Sequence, residues 1–376
     1  MACNIKLTFL GTSSAQPTLS RNHSSLGVQI DAALWLFDCG EATQIQLLRA
    51  KSCRISRLQR LFITHLHGDH VFGIPGLMCT LASSINQPEF TLHLYGPAGL
   101  RKFVRNALKL SHSRLTYKFS VAELLFDAND VDSEDDYHPD EICGGDILPD
   151  SNGIWNVVHS DHISVSAAFI EHRIPSLGYV LQEDHVPGRL LVDKIQPILQ
   201  QHAKAFAEKL GIRNPMALLA GFKSGSPITL PDGSILTPES FLGPPRIARK
   251  IVILGDTSDP SNIASIAADA DVLVHEATNA WLKQDYETTT SEAVRELCVS
   301  HGHSTPEMAG QFARRINARS LILNHFSSRY RGDDCPEARS IMDEIRQLSV
   351  EAFGCDRVLT AYDLQTIDIH RQDHSA

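Results

Sequence analysis

Ile63-Thr-His-Leu-His-Gly-Asp-His70 is the stretch on which the reading of this chain turns. Leu61-Phe-Ile63 has the character of a short buried strand, and the polar segment after it turns at Gly68. On an extended backbone, residues two apart project to the same side. His65 and His67 can therefore face one cation, while Asp69 and His70, past the glycine, can face a second. Neutral imidazole and carboxylate are the donors that a borderline cation such as zinc accepts. The chain is rich in histidine, with 18. Even so, an HxHxDH string should arise by chance in only about one of several hundred chains of such composition.

A two-ion centre needs further donors, including one that both ions share. Three later places offer them. Glu171-His172-Arg173 follows an apolar stretch, Gly255-Asp256-Thr257 follows Ile251–Leu254, and Asn324-His325 follows Leu321–Leu323. Each lies at the C-terminal edge of an expected buried strand, where α/β folds build their sites. His159 and His162 are rivals to His172.

Around these motifs the pattern is that of a layered α/β chain. Lys6–Leu10, Ser25–Ile30, Ala33–Phe37 and Leu92–Tyr95 read as strands, as do Ile163–Ser166, Ile251–Leu254, Val272–Val274 and Leu321–Leu323. Helical spacing marks Ala42–Ala50, Leu100–Leu110, Ser261–Ala268, Thr290–Val299, Thr305–Ile316 and Pro336–Leu348. Strands come first and then alternate with helices, which fits an α/β sandwich of mixed sheets. Two segments interrupt the plan. Asp127–Asp150 is dense in acidic residues and reads as a solvated surface loop. Residues 182–250 open with an expected helix over Val192–Leu210 and end in a hairpin about Pro231-Asp-Gly233.

The formal net charge of -10 argues against a general nucleic-acid coating protein but leaves room for a local basic patch. The eight cysteines form no CxxC pair and read as isolated reduced thiols. The N-terminal stretch lacks the pattern of a secretory signal, and no apolar run is long enough to span a bilayer. The expected location is the cytoplasm, with a nuclear pool possible.

Through His65-x-His67-x-Asp69-His70, His172, Asp256 and His325 the chain resembles the metallo-β-lactamase superfamily. The resemblance implies a four-layer αββα sandwich. It also implies two zinc ions, one held by His65, His67, His172 and Asp256 and the other by Asp69, His70, Asp256 and His325, with Asp256 as the bridge. Manganese or iron could take the same donors. Further stretches are similar to the short form of ribonuclease Z, the tRNA 3′-processing endonuclease. These are Phe9-Leu-Gly-Thr-Ser-Ser14, Pro17-Thr-Leu-Ser-Arg-Asn22, Phe37-Asp-Cys-Gly-Glu-Ala-Thr-Gln44, His172–Tyr179, His275-Glu-Ala-Thr278, His303-Ser-Thr305, Asn324–Tyr330 and Ala361-Tyr-Asp363. Together they run along nearly the whole of residues 1–376, read as one catalytic domain.

That resemblance implies cleavage of precursor tRNA, a 3′-hydroxyl product ready for CCA addition, and a homodimer. Asp69 would orient the attacking water or accept its proton. His303, oriented by Glu276, would protonate the leaving 3′-oxygen. Residues 182–250 occupy the place of the family's tRNA-binding arm. Lys194, Lys204, Lys209, Arg213 and Lys223 lend that arm positive charge, although Gly211-Ile-Arg-Asn-Pro-Met216 departs from the family's GxPxGP-like turn. Two other functions fit parts of the pattern: a two-zinc hydrolase of small phosphodiesters, and a non-catalytic RNA-binding scaffold on the same fold.

Overall fold

The computed structural model describes residues 4–126 and 137–371 apart from 86, 88, 185–187, 189, 224 and 244–246. The described chain divides into two compact units, Met1–Glu183 with Arg249–His370, and Asp184–Ala248 with Arg371–Ala376.

The first unit is built on two mixed sheets. One contains β1 (Ile5–Gly11), β2 (Ser25–Ile30), β3 (Ala33–Phe37), β4 (Leu58–Phe62), β5 (Thr91–Pro97), β6 (Lys118–Leu124) and β7 (Glu141–Cys143) in sequential order. The other begins with β8 (Ile154–Ser160), β9 (Ile163–Ile170) and β10 (Ser176–Glu183). The chain then leaves for the second unit, whose hairpin supplies β11 (Ile228–Thr229) and β12 (Ile235–Leu236). It returns through β13 (Lys250–Leu254), β14 (Val272–Glu276), β15 (Leu321–Asn324) and β16 (Val358–Thr360), and β17 (Thr366–Ile369) closes the first sheet against β1.

Alternation along the strands explains the layering. In β3, Ala33, Trp35 and Phe37 enter the core between the sheets, where they meet Trp155, Val165, Tyr179, Ile253 and Val274. Leu34 and Leu36 point the other way, to a layer formed with Ile74, Leu77, Leu81, Val104 and Leu108 from the helices Ile74–Ser84 and Leu100–Leu110. Beyond the second sheet, Val252, Leu254 and Leu273 pack with Ala309, Phe312, Ile345 and Phe353 from the helices Pro306–Arg315 and Pro336–Phe353. Helix, sheet, sheet, helix is the expected αββα order. Strands β3 to β7 run parallel, as do β13 to β16. The loops after β3, β4, β13, β14 and β15 are those that carry the motif residues.

Three expectations change. The acidic segment 127–150 is not uniformly a solvated loop: 127–136 lie outside the described residues, but beyond them Glu141 is buried and accepts two 2.8 Å bonds from Arg105, while Asp146 pairs with Arg101. These acids balance arginines of the helix Leu100–Leu110, a relation across more than 30 residues that composition does not reveal. The helix expected over Val192–Leu210 breaks at His202 into Val192–Gln201 and Ala203–Leu210. Ser261–Ala268 is a short 3-10 turn followed by the single helical turn Ala264–Ala267.

The second unit has its own core of Leu190, Ile195, Leu199, Phe206, Phe222, Ile228 and Leu230. Among the described residues, no helix is long and apolar enough to cross a membrane.

A tight backbone approach seats the motif loop. Cys39 N–H donates to His70 O at 2.8 Å, and Gly73 N–H donates to Cys39 O at 2.9 Å. A Cβ on Gly73 would stand 2.0 Å from Gly40 O. Backbone cannot yield as a side-chain tip does, so Gly73→Ala should lower stability by about 1–3 kcal/mol. Thermal unfolding checks this; an unchanged melting temperature would contradict it.

Candidate metal centre

The loops after β3 and β4 are neighbours because those strands pair in parallel. Asp38, at φ 61°, turns its carboxylate toward the second loop. Oδ1 accepts from Thr64 N–H at 2.8 Å, and Oδ2 accepts from Thr64 Oγ1 at 2.9 Å and faces His70 Nδ1 at 2.7 Å. His65 follows, His67 is extended, and Asp69 and His70 sit in the single helical turn Gly68–Val71. Asp69 Oδ2 accepts from Ala15 N–H at 2.8 Å.

Two donor sets converge here. In the first, His67 Nδ1 lies 3.1 Å from His65 Nε2 and 3.2 Å from His172 Nε2, and Asp256 Oδ2 lies 3.6 Å from His65 Nε2. In the second, His70 Nε2 lies 3.2 Å from His325 Nε2, and Asp69 Oδ2 lies 3.5 Å and 3.4 Å from those two nitrogens. Asp256 Oδ1 completes it, 3.4 Å from His70 and 3.3 Å from His325. Asp256 thus turns one oxygen to each set. Four donors about 2.0–2.1 Å from a tetrahedral zinc would stand roughly 3.3–3.4 Å apart. The spacings observed match that, so the residues fit a metal ion in each place.

His172 enters the cluster, whereas His159 and His162 lie exposed at the end of β8 and in the turn before β9. Glu276, at the end of β14, is buried and accepts from Thr257 N–H at 2.6 Å, from Thr278 Oγ1, and from His303 Nδ1 at 3.2 Å. His303 itself lies 3.7 Å from Asp256. Thr305 caps the helix that follows, as its sequence position suggests.

Burial drives the titration of most of these rings. It pushes His65 well below the usual imidazole range, and lowers His67 and His172. Neutral imidazole is the form that binds metal. At His70, burial is outweighed by Asp256, Asp38 and Asp69, which hold the ring well above that range. At His303 burial is again outweighed, here by the charge and hydrogen bond of Glu276 and by Asp256, and its pKa rises to about 9. His303 therefore keeps its second proton at neutral pH, as a proton donor must.

Several participants escaped sequence reading. Asp38 and Thr278 hold the far nitrogens of His70 and His325, and Gly302 O accepts from His172 Nδ1 at 2.6 Å. Asp38 lies inside a quoted motif, but nothing local marks its partner. A cleft of about 410 Å³ opens over the site, lined by His23, Asp69, Phe72, Arg173, Asp256 and His303. Arg173 and Phe72 are exposed there.

Two stacked mixed sheets between helical layers, with histidines and aspartates gathered on the loops at the strand ends, define a metallo-β-lactamase-fold protein. A family model described as "Anti-Pycsar protein Apyc1" matches residues 5–181, under half of the chain. Zinc phosphodiesterase ELAC protein 1 of Bos taurus is 35% identical over 97% of this chain and 99% of its own length. Ribonuclease Z of Anoxybacillus flavithermus is 35% identical over 98% of this chain and 99% of its own. Among solved structures, human tRNase Z, short form (ELAC1), superposes with a TM-score of 0.62 at 28% identity, covering 96% of this chain and 98% of that one. The chain belongs to the ribonuclease Z family.

Asp38→Asn keeps the shape of the side chain but replaces one acceptor oxygen with a donor group. It cannot then serve both Thr64 and His70. Zinc affinity, measured by competition with a chromophoric chelator, should fall about 10–100-fold while the fold persists. Unaltered affinity would mean that His70 needs no such partner.

Proposed function

We propose that the chain is a zinc-dependent endoribonuclease that removes 3′ trailers from precursor tRNA and leaves a 3′-hydroxyl for CCA addition. One observation carries this reading: the pair formed by buried Glu276 and cleft-lining His303 borders the two donor sets that share Asp256. His65, His67, His172 and Asp256 would hold one zinc ion, and Asp69, His70, Asp256 and His325 a second. Bound zinc supplies Lewis acidity toward water and the scissile phosphate.

The side chains do the rest. Asp69 orients the water or takes its proton through the carboxylate that faces the cleft. Glu276 accepts a hydrogen bond from His303 Nδ1–H and so leaves Nε2–H to serve the departing 3′-oxygen. Arg173 offers a guanidinium to phosphate oxygens at the cleft wall.

The arm reading draws on charge. Residues 184–248 carry seven Lys and Arg against five Asp and Glu, in a chain whose net charge is -10. Lys194, Lys204, Lys209, Arg213 and Lys223 are all exposed. Basic side chains on such a unit suit a phosphate backbone. A small-phosphodiester hydrolase would have no use for it. A homodimer acting in the cytoplasm, with a nuclear pool, completes the proposal; sedimentation of the purified protein tests the dimer.

Incubation with a precursor tRNA bearing a 3′ trailer should release the trailer with a 3′-hydroxyl on the tRNA. His303→Ala should slow that cleavage about 10²–10⁴-fold while metal content is retained. Loss of zinc by this variant would overturn the division of roles. The arm can be tested by excision, because Glu183 N–H, at the end of β10, bonds Arg249 O at 3.0 Å, just before its antiparallel neighbour β13. Replacing Asp184–Ala248 with an Asn-Gly turn suits that geometry. The excised protein should lose tRNA cleavage by about 100-fold or more and keep turnover of bis(p-nitrophenyl) phosphate within about threefold. Equal loss of both would contradict the arm assignment and favour the small-substrate reading.

A further inference from the structure

We propose that Thr278 is a positioning residue that ties the His325 side of the metal centre to the Glu276–His303 pair. The inference rests on the reading of His325 as a metal ligand and of His303 as the proton donor.

Thr278 lies two residues past the end of β14, buried. Its Oγ1 meets three groups: the Glu276 Oε2 carboxylate oxygen, His325 Nδ1 at 3.2 Å and His325 O at 3.0 Å. A hydroxyl has one hydrogen and two lone pairs. Of the two oxygens, the carboxylate is the nearer and the charged one, so it takes the hydrogen. The lone pairs are then left for a donor. His325 faces Asp69 and Asp256 with Nε2. Coordination there needs the Nε2 lone pair, so the ring proton sits on Nδ1, which donates to Thr278 Oγ1. The chain of bonds runs from His325 Nδ1–H to Thr278 Oγ1–H to Glu276 Oε2, and His303 Nδ1–H bonds the same carboxylate, 3.2 Å from each of its oxygens.

The other end of the cluster repeats this arrangement. His65 Nδ1 lies 3.0 Å from Thr64 Oγ1, which donates to Asp38 Oδ2 at 2.9 Å, and His70 Nδ1 meets that same oxygen at 2.7 Å. Each relay is a threonine hydroxyl between an imidazole and a carboxylate that a second imidazole shares. The Thr64 relay joins one ring from each donor set. The Thr278 relay joins the His325 ring to His303, which lies in neither. Thr278 therefore fixes the His325 tautomer and the orientation of the acid pair with one hydroxyl.

Thr278→Val removes the hydroxyl at nearly constant shape; Thr278→Ser keeps the hydroxyl and drops the methyl group. Two readouts separate positioning from a general structural loss. Zinc affinity, from chelator competition, should fall about 10–100-fold in the valine variant. With zinc saturating, its kcat on trailer-bearing tRNA should fall at least about tenfold more than its kcat on bis(p-nitrophenyl) phosphate. The p-nitrophenolate group leaves without a proton, whereas the ribose 3′-oxygen needs one. Thr278→Ser should restore both quantities to within about threefold of the parent protein. Unchanged zinc affinity in the valine variant, or equal loss on the two substrates, would overturn the proposal. Should the valine variant fail to fold, the serine variant decides: loss of either quantity there overturns it. A parent protein that binds no zinc or cuts no precursor tRNA would instead refute the function proposed above.

Discussion

The rest of this structure depends on one buried carboxylate, that of Asp256. Desolvation penalises its charge, yet His325, His70 and His65 hold it well below the usual carboxylate range. The benefit runs both ways, since clustered imidazoles would otherwise repel one another when protonated and lose hydration with little return. A carboxylate with one oxygen turned to each donor set lets seven side chains crowd into a buried space. The fold meets this demand by bringing parallel strands to a common edge. Strands β13, β14 and β15 run side by side, and their ends deliver Asp256, Glu276 and His325 in that order. The first sheet does the same with β3 and β4, which deliver Asp38 and the histidine loop.

Holding the cluster is as demanding as gathering it. Each ring of such a cluster must present a particular nitrogen to it, and its other nitrogen must be satisfied. His70 has Asp38, His172 has Gly302 O, His65 has Thr64 and His325 has Thr278. The loop that bears Gly302 also bears His303, so the backbone that orients the His172 ring positions His303 as well. A similar economy appears at Asp363. Its carboxylate accepts from Thr12 Oγ1, Asn22 N–H and the Gln46 amide, and so gathers the opening loop, the helix Thr43–Arg49 and the C-terminal segment. Several quoted motifs without a chemical role are explained by this one contact point.

How much of this was legible beforehand depended on whether the signal was local. His65, His67, Asp69 and His70 sit within six residues, and the two-residue spacing on extended backbone dictates the common facing of His65 and His67. His172, Asp256 and His325 each follow an apolar run, so their strand-end placement was readable. The sandwich was readable too, because alternation in β1 to β3 and the later strand–helix succession are local patterns. Partners distant in the chain were not. Asp38 precedes His70 by 32 positions, and Thr278 precedes His325 by 47. The pairing of Glu141 and Asp146 with Arg105 and Arg101 was hidden for the same reason, and acidic composition there suggested solvent instead. The break at His202 is a third case. Val192–Leu210 is helical on both sides of it, and Ile195, Leu199 and Phe206 serve one small core that the helical pattern does not reveal.

The most direct test of the account is the anomalous difference map at the zinc edge from crystals of the zinc-loaded protein. It should hold two peaks, one enclosed by His65, His67 and His172, the other by Asp69, His70 and His325, with Asp256 reaching both. A single peak, or density lying away from Asp256, would contradict the claim that this carboxylate organises a pair of ions.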